Sequence, residues 1–289
     1  MSRDSDPSVS ADPKISVVMV DGSFRQKFHT IDFFARQSLP ADDYEVLWVE
    51  YYDKLQAELS EKIRLYTNCR TITLNRDDEY HSSFCFNAGI RESRGELLVI
   101  PDADVVVDER FLEMIWNDHC LNEKLVMYVY RWDEDANTAS REPELHHLRT
   151  VCSLKNAANY GGCLTVRKKW LLDINGYEQH PIFGSGFHAN GLDIYTRLKN
   201  LGLHVMWHPT LKMYHPWHPM TRTESKSYDL QQLVIQHRAL TLEAMAHEGL
   251  DPERNRPMPP DLAARIADAQ VPRWKSPARL FRRIRKTLS

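Results

Sequence analysis

Residues Glu96-Leu97-Leu98-Val99-Ile100-Pro101-Asp102-Ala103-Asp104 read as a short apolar strand that runs straight into two carboxylates. A strand this apolar is covered on both faces, which is the habit of parallel sheets. The segments before it repeat the pattern. Ile15–Val20 is an apolar run stopped by Asp21-Gly22, and residues 27–37 read as a helix. Tyr44–Val49 is a second strand, and Lys54–Tyr66 is a helix with Leu55, Leu59, Ile63 and Tyr66 on one face. Arg70–Leu74 is a third strand, and Phe84–Glu92 a helix leading back to the quoted run. Strands alternating with helices predict an α/β fold with a mainly parallel sheet of right-handed crossovers. In such sheets ligands bind at the carboxyl ends of the strands, where Asp102 and Asp104 stand.

Beyond residue 104 the pattern loosens. Asp108–Cys120 reads as a helix, Leu125–Trp132 as a strand and Asp133–Ala158 as a long polar loop of the kind that often serves a site. Cys163–Val166 is a short strand, Asp193–Leu201 a helix ended by Gly202, Leu203–Trp207 a strand and Ser225–His247 a long helix. The domain boundaries follow: a disordered leader over 1–13, one domain over 14–250, then a Pro-rich linker and basic tail over 251–289.

The chain has 289 residues, 42% hydrophobic and 27% charged, which fits a globular protein with a sizeable core and excludes a mostly disordered one. Its net charge of -3 is unevenly spread. Arg273, Lys275, Arg279, Arg282, Arg283, Arg285 and Lys286 crowd the tail, with no acidic residue after Val271. An acidic body argues against nucleic acid as a partner. Within the tail, Leu280, Phe281, Ile284 and Leu288 fall on one helical face and the basic residues on the other, with Trp274 nearby. That is the pattern of an interfacial helix on an anionic membrane surface, through residues 272–289, while a basic helix packed on the acidic body is the alternative. The polar N-terminus is no signal peptide, no run is long enough to span a membrane, and the five cysteines form no CxxC pair. Together these features point to the cytoplasm, with reduced thiols.

Asp102 and Asp104, spaced i, i+2, can hold one hard divalent cation. Tyr214-His-Pro-Trp-His-Pro219 offers two imidazoles, His215 and His218, to complete that site, a mixed set suited to Mn2+, with Mg2+ as the other choice. Glycines at Gly161-Gly162, Gly176 and Gly184-Ser-Gly186 allow close backbone approach to a ligand.

Over residues 14–220 the ordered set of pieces resembles the family 2 glycosyltransferases of the GT-A fold. The pieces are Ile15–Val20, Phe86-Asn-Ala-Gly-Ile90, Arg94-Gly-Glu96, Pro101-Asp-Ala-Asp104, Gly161-Gly162, Asn175-Gly-Tyr177 and Asp193-Ile-Tyr-Thr-Arg-Leu198. Tyr214-His-Pro-Trp-His218 is similar to the histidine-bearing end of galactosyl- and N-acetylgalactosaminyltransferases. The resemblance implies a nucleotide-sugar donor, its diphosphate bound through a metal on Asp104 with Asp102 nearby; the acceptor is expected to be a glycan or, as the amphipathic tail hints, lipid-linked. It implies donor contacts at Gly161 and Gly162, and at Glu50, where a carboxylate can accept from base N–H or ribose O–H. The family's Glu-Asp pair before the Asp-Leu-x-x-Arg-Leu helix is replaced by Asn190 and Gly191. The general base of an inverting displacement is then expected at Asp193, or at His188. A domain of this fold that binds without turnover, a retaining transferase and a nucleotidyltransferase are the other readings left open.

Overall fold

The computed structural model describes residues 12–184, 189–219 and 227–270. Four strands, β1 (Ile15–Asp21), β2 (Tyr44–Glu50), β3 (Cys69–Thr73) and β4 (Leu97–Pro101), lie parallel. They are joined by α1 (His29–Ala35), α2 (Ala57–Arg64) and α3 (Ser82–Glu92). After α4 (Phe111–Leu121) come β5 (Leu125–Asp133), α5 (Leu145–Val151), β6 (Cys163–Arg167), α6 (Lys168–Asp173), α7 (Asn190–Asn200) and β7 (His204–His215). The sheet order is β3-β2-β1-β4-β6-β5-β7, with β6 antiparallel to its neighbours and β7 parallel to β5.

Alternation along the strands divides the core in two. Val17, Met19, Val46, Trp48, Leu97 and Val99 face one side, where α1, α2 and α4 add Phe34, Leu59 and Phe111. Val18, Leu47, Val49, Leu98 and Ile100 face the other, with Cys85, Ile90, Leu171, Ile194 and Leu198 from α3, α6 and α7. This period-2 division under helices on both faces explains why the strand sequences are apolar throughout. Cys69, Cys85, Cys152 and Cys163 are buried free thiols, and Cys120 is exposed.

Four expectations need correction. Residues 133–158 are not all loop, because α5 buries Leu148 against Val106, Cys152 and Tyr214. The final strand is longer than 203–207 and reaches His215. The long helix, α8 (Tyr228–Thr241), stops early where Leu242 takes a left-handed φ of 57°. The chain then folds back, with Ala246 N–H donating to the Ile174 carbonyl and Leu250 N–H to the Asn175 carbonyl. Finally, 251–270 is no linker. It carries α9 (Pro260–Gln270), whose Leu262 and Ile266 are buried against Ile182, Phe183, Ala189, Val234 and Ile235. Packing on the body of the chain therefore continues past residue 250, through Ile266. The leader up to residue 11 and the tail after Gln270 lie outside the described residues.

Two motifs have a structural reason. Asn87 in α3 donates to the Tyr177 carbonyl at 2.9 Å and accepts from Tyr177 N–H at 2.7 Å. The turn it grips has Gly176 at φ +66°, where a Cβ would sit 2.3 Å from the Asn87 Oδ1. Beyond that turn lies a buried ionic cluster. Glu178 accepts from Arg238 of α8, from His247 N–H at 2.8 Å and from Glu248 N–H at 2.8 Å. Asp193 of α7 accepts from Arg238 and, at 2.8 Å, from Arg197, which also donates to the Ile174 and Gly176 carbonyls. Burial alone raises the pKa of Glu178, but Arg238, His247 and Arg197 outweigh it and hold this carboxyl well below the usual range.

Removing one member of such a cluster leaves its partners charged and unpaired. Arg238→Met is expected to lose about 3–5 kcal/mol in urea unfolding. An unfolded Glu takes its proton near pH 4.3 while folded Glu178 stays ionised, so stability is expected to fall progressively below about pH 5. Urea midpoints at pH 7, 5 and 4 measure this, and Glu178→Gln should flatten the decline.

Candidate functional site

The carboxyl ends of β1, β2 and β4 bring four acids together. Asp21 and Glu50 end neighbouring strands in register, and both are buried. Asp21 accepts from Arg25 Nη1 at 2.9 Å. Glu50 accepts from Ser23 Oγ at 3.2 Å and from Tyr52 N–H at 3.4 Å. Burial, with Asp21 beside it, pushes the pKa of Glu50 up. The rings of Phe24, Tyr51 and Tyr80 line this corner, Tyr80 lying 4.8 Å from Phe24 and 5.2 Å from Tyr51 between centroids. Gly162 joins the end of β4 directly, its carbonyl accepting from Asp102 N–H at 2.7 Å, while Gly161 beside it is exposed, and a Cβ there would meet only the Asn159 Oδ1, at 3.8 Å.

Asp104 is two residues further on. Its neighbour Val106 pairs with Tyr214 of β7 through hydrogen bonds in both directions, 2.7 and 2.9 Å. Because a strand advances about 3.3 Å per residue, this bridge sets His215 and His218 against Asp104. His215 Nε2 is 3.6 Å from Asp104 Oδ1, His218 Nε2 is 3.6 Å from Oδ2, and the two imidazole nitrogens are 3.1 Å apart. One ligand atom from each of the three lies within 4.8 Å of the others. Asp104 Oδ1 is buried and has no hydrogen-bond partner among the described residues. Atoms bound to one ion at about 2.1 Å stand roughly 3.0–3.5 Å apart, so these side chains fit a divalent cation with little movement.

Asp133, the last residue of β5, stands opposite His215 and accepts from its Nδ1 at 3.0 Å. That bond fixes the ring orientation and leaves Nε2 facing Asp104, the way a carboxylate commonly orients a metal-binding imidazole. The next residue, Glu134, is 3% exposed, and its carboxylate accepts from Trp217 N–H at 2.9 Å and from His147 at 3.0 Å. It thereby holds the Pro-Trp turn between the two histidines. Asp102 behaves differently from Asp104. It accepts from Arg131 Nη1 at 2.8 Å, and Arg131 Nε reaches Asp133 at 3.0 Å. The expected pairing of both aspartates on one ion is therefore revised: Asp104 with both histidines forms the cluster, and Asp102 is turned to Arg131.

The charges reinforce this division. Burial works against ionisation of Asp104, but Arg25, His215 and His218 hold its pKa well below the carboxylate range. Burial raises the pKa of Asp102, and Arg131 only partly offsets it. Burial would keep His215 neutral, yet Asp104 and Asp133 raise its pKa to about 9. Asp104 also raises that of His218.

Asp193 does not reach the site. It is 1% exposed and its carboxylate is taken by Arg197 and Arg238, so no acceptor hydroxyl can approach it; the expected role as general base is withdrawn. The departure two residues earlier also has a physical cause. A Cβ at Gly191 would lie 2.5 Å from the backbone of Tyr160, which leaves no room for an acid there. Asn190 is buried and donates to Ser82 at 2.9 Å and Ser83 at 3.1 Å. His188 and the Ser185-Gly186 part of the glycine loop lie outside the described residues. Sequence reading missed Arg25, Arg131, Asp133 and Glu134. Asp133 alone left a signal, as an acid closing an apolar strand.

No protein-family model matches the chain, and no curated protein matches it in sequence. Solved structures do match. A crystal structure of GalNAc-T7 with UDP, GalNAc and Mn2+ superposes with a TM-score of 0.60 at 12% identity, over 78% of this chain and 48% of that one. Residues 1–349 of TarS from S. aureus give 0.54 at 14% identity, over 79% and 65%. A longer TarS structure gives 0.55 at 16% identity, over 78% and 39%. The chain thus spans less than two thirds of each of these proteins. The mixed, mostly parallel seven-stranded sheet under helices is a GT-A-type fold, as the sequence led us to expect.

Loss of Asp104 removes the single carboxylate of the cluster. Asp104→Asn and the double variant His215→Ala/His218→Ala are each expected to weaken Mn2+ binding at least tenfold by calorimetry, and Asp193→Asn to leave it unchanged.

Proposed function

We propose that the protein is a divalent-metal-dependent glycosyltransferase. It moves a sugar from a nucleotide-sugar donor, a UDP-sugar in preference, to a hydroxyl of a glycan or lipid-linked acceptor. One observation carries this reading: Asp104, His215 and His218 converge at the carboxyl ends of the strands of a GT-A-type fold. The likeness to a structure holding UDP, GalNAc and Mn2+ supports it.

When bound there, Mn2+ (or Mg2+) supplies Lewis-acid stabilisation of the departing diphosphate. The protein's own groups do the rest. Asp133 keeps His215 Nε2 free, and Glu134 fixes the turn that carries His218. Glu50 is placed to accept from the nucleotide's base or ribose, and the rings of Phe24, Tyr51 and Tyr80 give that corner an apolar wall. Gly161 and Gly162 border the donor from the β6 side.

Stereochemistry divides into two readings. With Asp193 enclosed, His188 is the base left for inversion. Retention is the second reading, favoured because Asp193 and Asn190 are buried and Gly191 has no side chain. The anomer formed, followed by NMR, separates them: inversion that His188→Ala slows by two or more orders of magnitude supports the first reading, and a retained configuration supports the second.

No helix among the described residues is long and apolar enough to cross a membrane. The basic, amphipathic pattern of 272–289 supports a cytoplasmic protein that meets anionic lipid from one side.

Incubation with a panel of UDP- and GDP-sugars and Mn2+ is expected to give slow donor hydrolysis that Asp104→Ala abolishes. Donor binding without any turnover would instead identify a binding domain, and neither binding nor turnover would overturn the reading. The full chain is expected to pellet with phosphatidylserine vesicles, less so as salt rises, while a chain ending at Val271 stays in the supernatant.

A further inference from the structure

A cation already stands at Asp104, namely Arg25. Its Nε is 3.4 Å from Asp104 Oδ2, and its Nη1 donates to Asp21 at 2.9 Å and to the Val20 carbonyl at 3.3 Å. The Arg25 side chain is 21% exposed and its Nε is buried, so bulk water and salt screen it little. Asp21, Asp102 and Asp104 act on it from β1 and the end of β4, and His218 faces the same oxygen of Asp104 while His215 faces the other. Among the described residues, only Nη1 of the guanidinium makes hydrogen bonds.

The candidate ligand set is one carboxylate and two neutral imidazoles, which carries a single negative charge. A divalent cation on that set would share Asp104 with the fixed positive charge of Arg25. At this range, in a site largely removed from water, like charges repel strongly. A nucleoside diphosphate relieves the conflict in two ways. Its oxygens bring negative charge to the cation, and they give the planar guanidinium a partner it can meet with two N–H groups at once. Arg25 needs only to leave Asp104 while keeping its Asp21 anchor.

We propose that Arg25 couples metal to nucleotide, opposing a divalent cation bound alone and holding the diphosphate when both are present. The proposal rests on the reading that Asp104, His215 and His218 take the cation. Because binding free energies are reciprocal, Mn2+ tightens the nucleotide by the same factor as the nucleotide tightens Mn2+.

The test is calorimetric titration of the full chain with Mn2+, with and without UDP. In the wild type UDP should tighten Mn2+ binding by about 5–150-fold, the usual span of coupling between sites. In Arg25→Gln, Mn2+ alone should bind at least about fivefold tighter than in the wild type, and UDP should tighten it correspondingly less. Arg25→Lys keeps the charge but not the fork. It should bind Mn2+ alone as the wild type does and bind UDP more weakly, which gives a second test should Arg25→Gln fail to fold. Arg25→Gln matching the wild type in both titrations would overturn the coupling, as would Arg25→Lys binding UDP at wild-type strength. A wild-type chain that binds neither Mn2+ nor UDP would instead overturn the functional reading on which the coupling rests.

Discussion

Two backbone hydrogen bonds between Val106 and Tyr214 join the halves of this molecule at its site. One half supplies acids at the ends of parallel strands; the other supplies histidines at the end of an edge strand about 110 residues later in the chain. On the proposed reading the two segments act together, since the candidate ligand set takes its carboxylate from one and its imidazoles from the other. The pairing is also buried, with Val106 and Tyr214 packed against Leu148 and Cys152. Much of the molecule's second half can be read as support for that one contact. α5 backs it, Glu134 braces the turn beyond it, and Asp133 orients the ring next to it.

The site is balanced around the same contact. Acids are concentrated at the strand ends, and burying them costs free energy unless each finds a cation. The chain meets this by sharing cations: Arg131 lies between Asp102 and Asp133, and Arg25 between Asp21 and Asp104, which also faces both imidazoles. The two aspartates of the triplet point to different partners for this reason, although they are two residues apart and chemically alike.

The first half of the fold was legible because its strands are continuous apolar runs between turn residues, and the helices between them carry a regular apolar stripe. The two ends of the site were legible too, since Asp102-Ala-Asp104 and His215-Pro-Trp-His218 are local patterns. What lay between them was not. Arg131, Asp133 and Glu134 act through partners distant in sequence, Asp102, His215 and Trp217, and only Asp133, an acid closing an apolar strand, left a mark in the sequence. Asp193 misled for the opposite reason. Its neighbours in sequence suit a reactive acid, but Arg238, 45 positions away, turns it into a structural ion pair. α9 was hidden by the prolines before it, which do end regular structure but say nothing about whether the next helix packs.

That packing has a consequence for the order in which the protein is made. Ile182, Phe183 and Ala189 are covered by residues of α8 and by Leu262 and Ile266 of α9. A ribosome releases these pieces in sequence, so the sheet and its first helices can assemble while this apolar patch still waits for the last part of its cover. Until residue 266 emerges, the nascent domain carries an adhesive face. Folding of the final twenty described residues therefore closes the surface of a domain whose interior is already in place.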